Sequence, residues 1–434
     1  MKDPEILPSV EPVGPINEAG RPASFATSLA ALGWVSLAGL LFNVVLTRLF
    51  SVEQYGQIRL LRTVLDLLAI PAGLGMGACV AKHVADARAG AAERQAMLAT
   101  AAAIALAASV LVALLAFGAL SAPSILRDQT ARRAARVLTG VLPVVALYAV
   151  GVGYLQGMGY IRRLSLTQAA RSSFMLLVGS LLCLTFGFGG WMGMKALTEA
   201  FACATAWSAA GRLRSAWRID RARLRPFLRF GAYGALTSAV VGLLTGLDVL
   251  ALDRFRGDAA EIGFYGVATL MFATALLLPS AFVQSRFARM AAWGHDPEKT
   301  WERYLHDSGW VLLLATPGAI AAYYFAPVIV WVFGEPYGRS VQIFRWLLPA
   351  FVIQSTGVVG GNFVVGAGLM RASFLSTFLM AVANAVLNVG LVPTWGVAGA
   401  VIATSATYVL GTTLSFLILQ RYRSQARIGP AAGP

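Results

Sequence analysis

The chain has 434 residues, of which 58% are hydrophobic and only 13% are charged, and its mean hydropathy is +0.69. A soluble domain is about 45–50% apolar and about 25% charged, so this composition excludes an ordinary soluble enzyme, a disordered chain and a disulfide scaffold. The net charge of +15 does not indicate a nucleic-acid partner here, because cytoplasmic loops of membrane proteins collect Lys and Arg. We predict an all-α polytopic membrane protein, and about 35 residues per span and loop leave room for about twelve spans.

The chain begins with a proline-rich segment and continues with long uncharged runs. Residues 1–24 lack the basic start and short apolar core of a signal peptide, so we expect a disordered cytoplasmic tail there. The uncharged runs predict twelve membrane-spanning helices. Their expected positions are near 25–48, 57–81, 95–120, 134–157, 164–187, 190–211, 227–250, 262–285, 308–333, 341–367, 372–392 and 397–420.

A strongly basic stretch at the middle of the chain divides the spans into two groups of six. It predicts a cytoplasmic linker over 212–226 that lies on anionic lipid. We expect an N-terminal lobe over 25–211, a C-terminal lobe over 227–420 and a second cytoplasmic tail over 421–434.

The two groups of spans are similar and enter the membrane from the same side. Tyr55-Gly56 opens the second span of one group, and Tyr265-Gly266 opens the second span of the other. Six is an even number, so we expect parallel repeats around a central cavity. Segments on the N-terminal side hold about twice as many Lys and Arg as those on the other side, which predicts that both termini are cytoplasmic.

A series of short motifs makes the chain similar to a known family. These are Arg48 before Glu53-Gln54-Tyr55-Gly56, then Gly263-Phe264-Tyr265-Gly266, Gly334-Glu335-Pro336-Tyr337-Gly338, the run from Asn384 to Pro393, and Gly396-Val397-Ala398-Gly399-Ala400. Over residues 25–420 the chain resembles the Wzx-type polysaccharide flippases of the multidrug and polysaccharide exporter (MATE/MOP) superfamily. The resemblance implies two six-helix lobes arranged as a V. It also implies movement of a polyprenyl-pyrophosphate-linked oligosaccharide across the cytoplasmic (inner) membrane for surface polysaccharide biosynthesis.

The resemblance implies transport without covalent chemistry, so we expect no catalytic residue and no cofactor. The expected partners are the lipid-linked oligosaccharide and membrane lipids, with a polysaccharide polymerase or export machinery as further candidates. The three cysteines, Cys79, Cys183 and Cys203, lie in apolar runs without metal-ligand spacing, so we also expect no metal site.

Charged residues inside the spans are the candidate substrate site, because such groups usually face protein or water rather than lipid. Arg59, Arg62 and Asp66 are spaced by three and four residues and share one face of span two, and Arg48 ends span one on the same side. Guanidinium groups in a low-dielectric cavity pair bidentately with a pyrophosphate. Alternatively, Arg48 and Arg59 extend to lipid headgroups while Arg62 pairs with Asp66.

Arg171 is a deeper candidate for the same site. It lies about 10 Å into span five and has no acidic residue three or four positions away. Its partner is therefore expected elsewhere in the fold or on the substrate. Lys195 and Glu199 are four residues apart, and we expect them to pair with each other.

Uncharged and acidic polar residues complete the candidate set. Five amides within the spans are candidates for sugar contact, with hydrogen bonding between helices as the alternative: Asn43, Gln168, Asn362, Asn384 and Asn388. Asp248 and Asp253, near the end of span seven, are candidates for coupling to Na⁺ or H⁺. The alternative is an aspartate bonded to Arg254 or Arg256 at the rim of the protein.

Three other functions stay open on the sequence. A drug or cation antiporter of the same superfamily would carry acidic residues deep in its cavity, whereas the deep charges here are mainly basic. A membrane polysaccharide polymerase or ligase would carry catalytic Arg or His on a large outward loop, whereas the outward loops here are short connectors. The third is a scaffold without transport activity.

Overall fold

The computed structural model describes residues 22–85, 90–122, 126–210 and 219–428. Every regular element within these ranges is a helix, which confirms the predicted all-α fold. A helix satisfies its own backbone hydrogen bonds, and lipid offers none, so apolar runs of this length fold as helices in a membrane.

Sixteen helices follow one another along the described ranges. The first eight are α1 (Pro22–Leu49), α2 (Val52–Gly73), α3 (Met76–Val84), α4 (Ala91–Ala119), α5 (Gln129–Thr139), α6 (Leu142–Gly157), α7 (Ile161–Phe174) and α8 (Ser180–Ala210). The others are α9 (Arg221–Ala251), α10 (Ala259–Ala275), α11 (Leu277–Trp293), α12 (Pro297–Phe325), α13 (Val328–Phe333), α14 (Gly338–Gly366), α15 (Met370–Trp395) and α16 (Val397–Ile428). Single π-helical turns over Met175–Gly179 and Leu252–Arg256 continue α7 and α9.

By length and apolar composition alone, the described ranges contain eleven membrane crossings. Nine segments are long and apolar enough to span a membrane, and two bent pairs add two more. The pairs are α2 with α3, bent by 48°, and α5 with α6, bent by 51°. One of the nine, Ile161–Ala210, has 50 residues. As one straight helix it would extend about 75 Å, more than twice the hydrocarbon thickness of about 30 Å.

Gly187 reverses the direction of this long segment. Its φ of 56° and ψ of −133° lie in a region that glycine adopts far more readily than other residues. A Cβ at Gly190 would collide with the carbonyl oxygen of Leu182, which requires the chain to have turned back. The segment is therefore two spans, and the described chain has the twelve spans that the sequence predicts. Gly396 makes the same turn between α15 and α16, with φ 56° and ψ −130°.

The two ends of the helix bundle differ in how the halves meet. We call the end where α1 begins and α16 finishes the terminal end, and the opposite end the far end. At the far end one apolar cluster joins both halves, including Tyr55, Tyr265 and Tyr337. At the terminal end there are two clusters, one containing Met76 and the other Met290. The Met76 cluster reaches α9 of the second half, where a Cβ at Gly75 would collide with the Gly231 carbonyl oxygen. The halves therefore also meet through α3 and α9 toward the terminal end, and a cavity remains between them beside α1 and α10.

Direct backbone contact between α2 and α10 closes the far end. A Cβ at Gly56 would collide with the carbonyl oxygen of Ala259, and a Cβ at Gly263 would collide with the carbonyl oxygen of Val52. Two helices approach this closely only where one of them has no side chain.

The predicted domain boundaries stay predictions. Residues 1–21, 211–218 and 429–434, which include most of the first expected tail, the end of the second and part of the expected linker, lie outside the described residues. The last part of the expected linker is helical, because α9 begins at Arg221. The last helix continues to Ile428, beyond the expected end of span twelve.

Candidate functional site

A charged cavity lies between the two halves. It has a volume of about 580 Å³, and its walls come from α1, α2, α7 and α8 on one side and from α10 and α11 on the other. We call it the central cavity. Six charged side chains line it: Arg59, Arg62, Asp66, Arg171, Lys195 and Glu199. Four of these are cations and two are carboxylates, so the lining carries a net positive charge.

The face of α2 that the sequence predicts is turned toward this cavity. Arg59, Arg62 and Asp66 all line it. Arg62 Nε lies 3.7 Å from Asp66 Oδ2, and the two side chains are 53% and 62% exposed. A pair this exposed and this long contributes little to stability, so the Arg62 guanidinium is available to a ligand. The Arg62–Asp66 pair, which the sequence analysis gave as the alternative, is therefore weak.

The same residues border a second space between α2 and α9. This α2–α9 cleft has a volume of about 550 Å³. Its charged residues are Arg59, Arg62 and Asp66, and Leu67 and Ile70 belong to its apolar part. Four hydroxyl side chains also line it: Thr63, Thr237, Ser238 and Thr245. The cleft therefore joins a cationic region to an apolar wall.

Arg171 has a partner that its neighbours in sequence could not reveal. Its Nη2 donates to Glu199 Oε1 at 2.6 Å, and Lys195 Nζ donates to the same oxygen at 3.0 Å. Glu199 is only 2% exposed, whereas Arg171 is 37% exposed. The predicted Lys195–Glu199 pair is confirmed, and it is shared with Arg171. Among the described residues, Glu199 Oε2 and Arg171 Nε are buried without a hydrogen-bond partner.

A third space lies within the first half, beside this ion cluster. This side chamber, with a volume of about 510 Å³, is enclosed by α2, α3, α6, α7 and α8. Asp66, Arg171, Lys195 and Glu199 line both the side chamber and the central cavity. The four charged side chains therefore form the boundary between the two spaces. No sequence pattern indicates this chamber, because its walls come from helices that are distant in the chain.

Asp248 is held in a dense polar cluster in the second half. The carboxylate is 7% exposed. Its Oδ2 accepts from Tyr265 Oη and Thr404 Oγ1, each at 2.6 Å. Its Oδ1 accepts from Asn388 Nδ2 at 2.7 Å and from Asn384 Nδ2 at 3.3 Å. The two asparagines thus hydrogen-bond across helices, as one of the two sequence-based alternatives states.

The Asp248 cluster borders a small cavity of its own. This Asp248 pocket, of about 200 Å³, is formed by α9, α10, α14, α15 and α16, with Arg59 of α2 at its edge. Arg59 therefore lines the central cavity, the α2–α9 cleft and the Asp248 pocket. No sequence pattern distinguishes it from Arg62 in this respect.

The two remaining polar candidates, Asn43 and Asp253, lie in different parts of the molecule. Asn43 lines the central cavity, donates to the Gly39 carbonyl at 2.7 Å and accepts from Tyr55 Oη at 3.0 Å. Asp253 is buried at the far end, where it accepts from the Arg127 backbone N–H. Of the two arginines expected to pair with an aspartate, Arg254 interacts electrostatically with Asp253, whereas Arg256 Nε lies 3.5 Å from Glu261 Oε2.

Arg48 does not line the central cavity in this conformation. Its guanidinium donates to two backbone carbonyls near the end of α13, those of Trp331 and Val332, the latter at 3.1 Å. It therefore connects the end of α1 to the second half at the far end. The sequence did not predict this contact, and the expected substrate and headgroup contacts of Arg48 stay predictions.

One protein family matches most of the chain. The family model described as "Polysaccharide biosynthesis protein" matches residues 45–342. This range contains all six charged residues of the central cavity and Asp248. Asn384, Asn388 and Thr404, which complete the Asp248 cluster, lie beyond it.

A curated relative and two solved structures are also similar. The probable low-salt glycan biosynthesis flippase Agl15 of Haloferax volcanii is 22% identical over 193 residues, 44% of this chain. The match spans only 41% of that relative's length. An inward-facing multidrug resistance MATE family transporter of the MOP superfamily has a TM-score of 0.73 at 18% identity, covering 93% of this chain and 100% of that one. The lipid II flippase MurJ in an inward closed conformation has a TM-score of 0.77 at 12% identity, covering 92% and 90%. These likenesses confirm the predicted MATE/MOP-like fold.

Proposed function

The chain belongs to the polysaccharide biosynthesis protein family, and from that premise we propose that it is a flippase for a polyprenyl-diphosphate-linked oligosaccharide. It would move this lipid across the cytoplasmic membrane by alternating access. The observation that carries the proposal is the net positive lining of the central cavity, in a multi-pass protein whose membrane-facing surface is apolar.

The charge of the cavity matches that of the proposed cargo. Four cations and two carboxylates leave two net positive charges in the central cavity. A diphosphate esterified at both ends carries one negative charge on each phosphorus atom. Guanidinium groups bind such oxygens through paired, charge-assisted hydrogen bonds. Arg62 and Arg59 are the proposed first contacts, because neither has a strong ion pair with the protein.

The α2–α9 cleft suits the lipid end of the same molecule. It joins the two arginines to a wall that contains Leu67, Ile70 and Val241. A prenyl chain lying on this wall would stay in an apolar environment while its diphosphate contacts the arginines. We propose the cleft as the path along which the lipid chain remains in the bilayer.

The closed far end defines the state of the transport cycle. At the far end one apolar cluster joins the halves, whereas toward the terminal end they meet through α3 and α9 and their apolar clusters are divided. We propose that both termini are cytoplasmic, in agreement with the distribution of Lys and Arg. This conformation would then receive cargo from the cytoplasmic leaflet, and rocking of the halves would open the far end to the outer leaflet.

The Asp248 cluster is the proposed site of ion coupling. In this structure two amide nitrogens and a hydroxyl donate to the carboxylate. An entering cation would replace these donors with the oxygen atoms of the same side chains, which are the ligands that hard cations prefer. A proton on the same carboxylate is the alternative. Asp253, the second candidate from the sequence, accepts from the Arg127 backbone N–H at the far end. We favour Asp248, which has side-chain partners from three helices.

The antiporter alternative is disfavoured by the same cavity. A drug or cation antiporter needs a cavity with net negative charge, because its cargo is an organic cation. The lining here has the opposite sign.

Replacement of the cavity arginines tests the proposal. We expect Arg62→Ala and Arg171→Ala each to reduce translocation of the lipid-linked oligosaccharide about 10- to 100-fold, because each removes charge-assisted hydrogen bonds of about 1.5–3 kcal/mol. The measurement is restoration of surface polysaccharide in a strain of the source organism lacking this gene, with protein levels checked on blots.

The matched control is Arg133→Ala, which removes an exposed arginine of α5 outside these cavities. We expect this variant to restore surface polysaccharide fully. Full activity of both cavity variants would contradict the proposal.

A further inference from the structure

We propose that the side chamber binds the sugar residues attached to the diphosphate. This inference rests on the proposed function and adds a place for the part of the cargo that distinguishes one glycan from another.

The chamber lies where the covalent structure of the cargo would place the glycan. Arg171, Lys195 and Glu199 line both the central cavity and the side chamber. A diphosphate held in the central cavity therefore has its substituents at this boundary. The prenyl chain has an apolar path in the α2–α9 cleft, and the glycan at the other end of the diphosphate is left with the chamber.

Two buried polar atoms at the boundary have no partner among the described residues. These are Glu199 Oε2 and Arg171 Nε. Leaving a buried donor or acceptor unpaired is unfavourable, and such groups commonly mark a ligand or an ordered water. A sugar hydroxyl satisfies both, because it donates to a carboxylate and accepts from a guanidinium.

The lining of the chamber offers further hydrogen-bonding groups, on the exposed Gln156 and the partly buried Gln168. Within the described part of the chain, the side-chain amides of Gln156 and Gln168 make no hydrogen bond to the protein, and both line the chamber. Each amide supplies two donors and an acceptor oxygen. Tyr148 also lines the wall, with the Arg171 guanidinium 5.3 Å from its ring centroid. An aromatic ring with a polar tip suits a sugar, which has both hydroxyl groups and an apolar face.

The size of the chamber fits a glycan. Its volume of about 510 Å³ falls within the range of about 300–1,000 Å³ that small-molecule sites occupy. One wall is closed by direct contact of α3 with α6, where a Cβ at Gly153 would collide with the carbonyl oxygen of Gly77. A second lipid chain in this space would leave the two amides and Glu199 Oε2 without partners. We therefore assign the chamber to the glycan.

Two variants test the assignment by different means. Ala78→Phe fills the chamber, since Ala78 lines it and is exposed on α3. Gln168→Leu keeps the side-chain size and removes the hydrogen bonds. The control is Ala107→Phe, the same change at an exposed position of α4 outside the chamber.

Binding of two lipids to the purified full chain in nanodiscs is then compared. The first probe is undecaprenyl diphosphate, which has no sugar. The second is the polyprenyl-diphosphate glycan fraction extracted from a strain of the source organism lacking this gene. We expect each chamber variant to bind the glycan lipid about tenfold more weakly than wild type, the loss expected for about one or two hydrogen bonds. We expect its affinity for undecaprenyl diphosphate to stay within about twofold of wild type.

Three outcomes would overturn the assignment. Wild-type affinity of both variants for the glycan lipid would exclude sugar contacts in the chamber. Equal weakening of both lipids would indicate a role in diphosphate binding or in stability. A wild-type protein that binds both lipids equally would mean that the glycan adds no contact. If wild type binds neither lipid, the proposed function fails as well, so the two failures are distinguishable.

Discussion

Tyr265 donates a hydrogen bond to the buried carboxylate of Asp248 at 2.6 Å. Tyr55 makes the equivalent bond in the first half, where the acceptor is the Asn43 amide oxygen at 3.0 Å. Each tyrosine opens the second span of its half and contacts the first span. The two halves therefore differ in the acceptor of this bond, which is a charged carboxylate in the second half and a neutral amide in the first. Only the second half can exchange a cation or a proton at this position.

Asp248→Asn is expected to uncouple transport from its ion gradient. Asparagine keeps the size of the side chain and can still accept from Tyr265 and Thr404, so the fold is retained. It has no charge to attract a cation and no group that takes up a proton. In proteoliposomes with an imposed Na⁺ or H⁺ gradient, we expect translocation by wild type to respond to one gradient and translocation by the variant to respond to neither. The control Glu302→Gln, an exposed carboxylate on α12, should respond like wild type. A gradient response retained by Asp248→Asn would exclude this site.

Glu199→Gln is expected to destabilise the protein more than loss of either cation that Glu199 binds. The change leaves Arg171 and Lys195 without a carboxylate at the boundary of the central cavity, and breaking a buried ion pair costs about 3–5 kcal/mol. Lys195→Met should cost less, because Glu199 keeps its 2.6 Å bond to Arg171. Thermal unfolding in detergent provides the comparison, with Glu302→Gln again as the control. A larger loss for Lys195→Met than for Glu199→Gln would contradict the shared-oxygen arrangement.

Arg48→Ala is expected to let the far end open more often. Arg48 connects α1 to the carbonyls of Trp331 and Val332, so its loss removes a contact that exists only while the far end is closed. A Leu46→Cys reporter detects opening, because Leu46 lines the central cavity and is 3% exposed. We expect a membrane-impermeant maleimide, added opposite the termini, to label this reporter severalfold faster in the Arg48→Ala variant.

The labelling needs a background without competing thiols. Cys203→Ser removes the partly exposed cysteine, and the other two cysteines are buried. Arg133→Ala, combined with the same reporter, controls for general loss of a cation. Identical labelling rates with and without Arg48 would show that the bond does not hold the far end closed.

Gly187→Ala and Gly396→Ala are expected to destabilise the two matching turns. Both glycines have φ 56° with ψ near −130°, where a side chain is strained by about 1–3 kcal/mol. Gly189→Ala is the matched control, since Gly189 has ordinary backbone geometry and open space around its Cα. The measurement is the midpoint of thermal unfolding in detergent, which should fall for the first two variants and stay unchanged for the control. Equal midpoints for all three would mean that the turns tolerate a side chain.

The sequence was sufficient for features that depend on local spacing. Uncharged runs predicted the twelve spans, and the four-residue interval predicted the Lys195–Glu199 pair. The three- and four-residue intervals also placed Arg59, Arg62 and Asp66 on one face, which the structure turns to the central cavity.

Contacts between distant segments could not be predicted in the same way. Arg171 meets Glu199 across a reversal at Gly187, and Asp248 meets Asn388, which lies 140 positions further along the chain. Neither distance corresponds to a helical repeat, so no periodic pattern marks these pairs. The contact of Arg48 could not be predicted either, because its acceptors are backbone carbonyls, which every residue has.

The main-chain contact at Gly56 and Gly263 has a consequence for how the transporter releases its cargo. Long side chains can stretch and keep touching while two helices move apart, but adjacent backbones cannot. The seal at this end should therefore break in a single step, without a partly loosened intermediate. A methyl group added at residue 56 would keep the two backbones apart. It would therefore lower the stability of the sealed state relative to the released state.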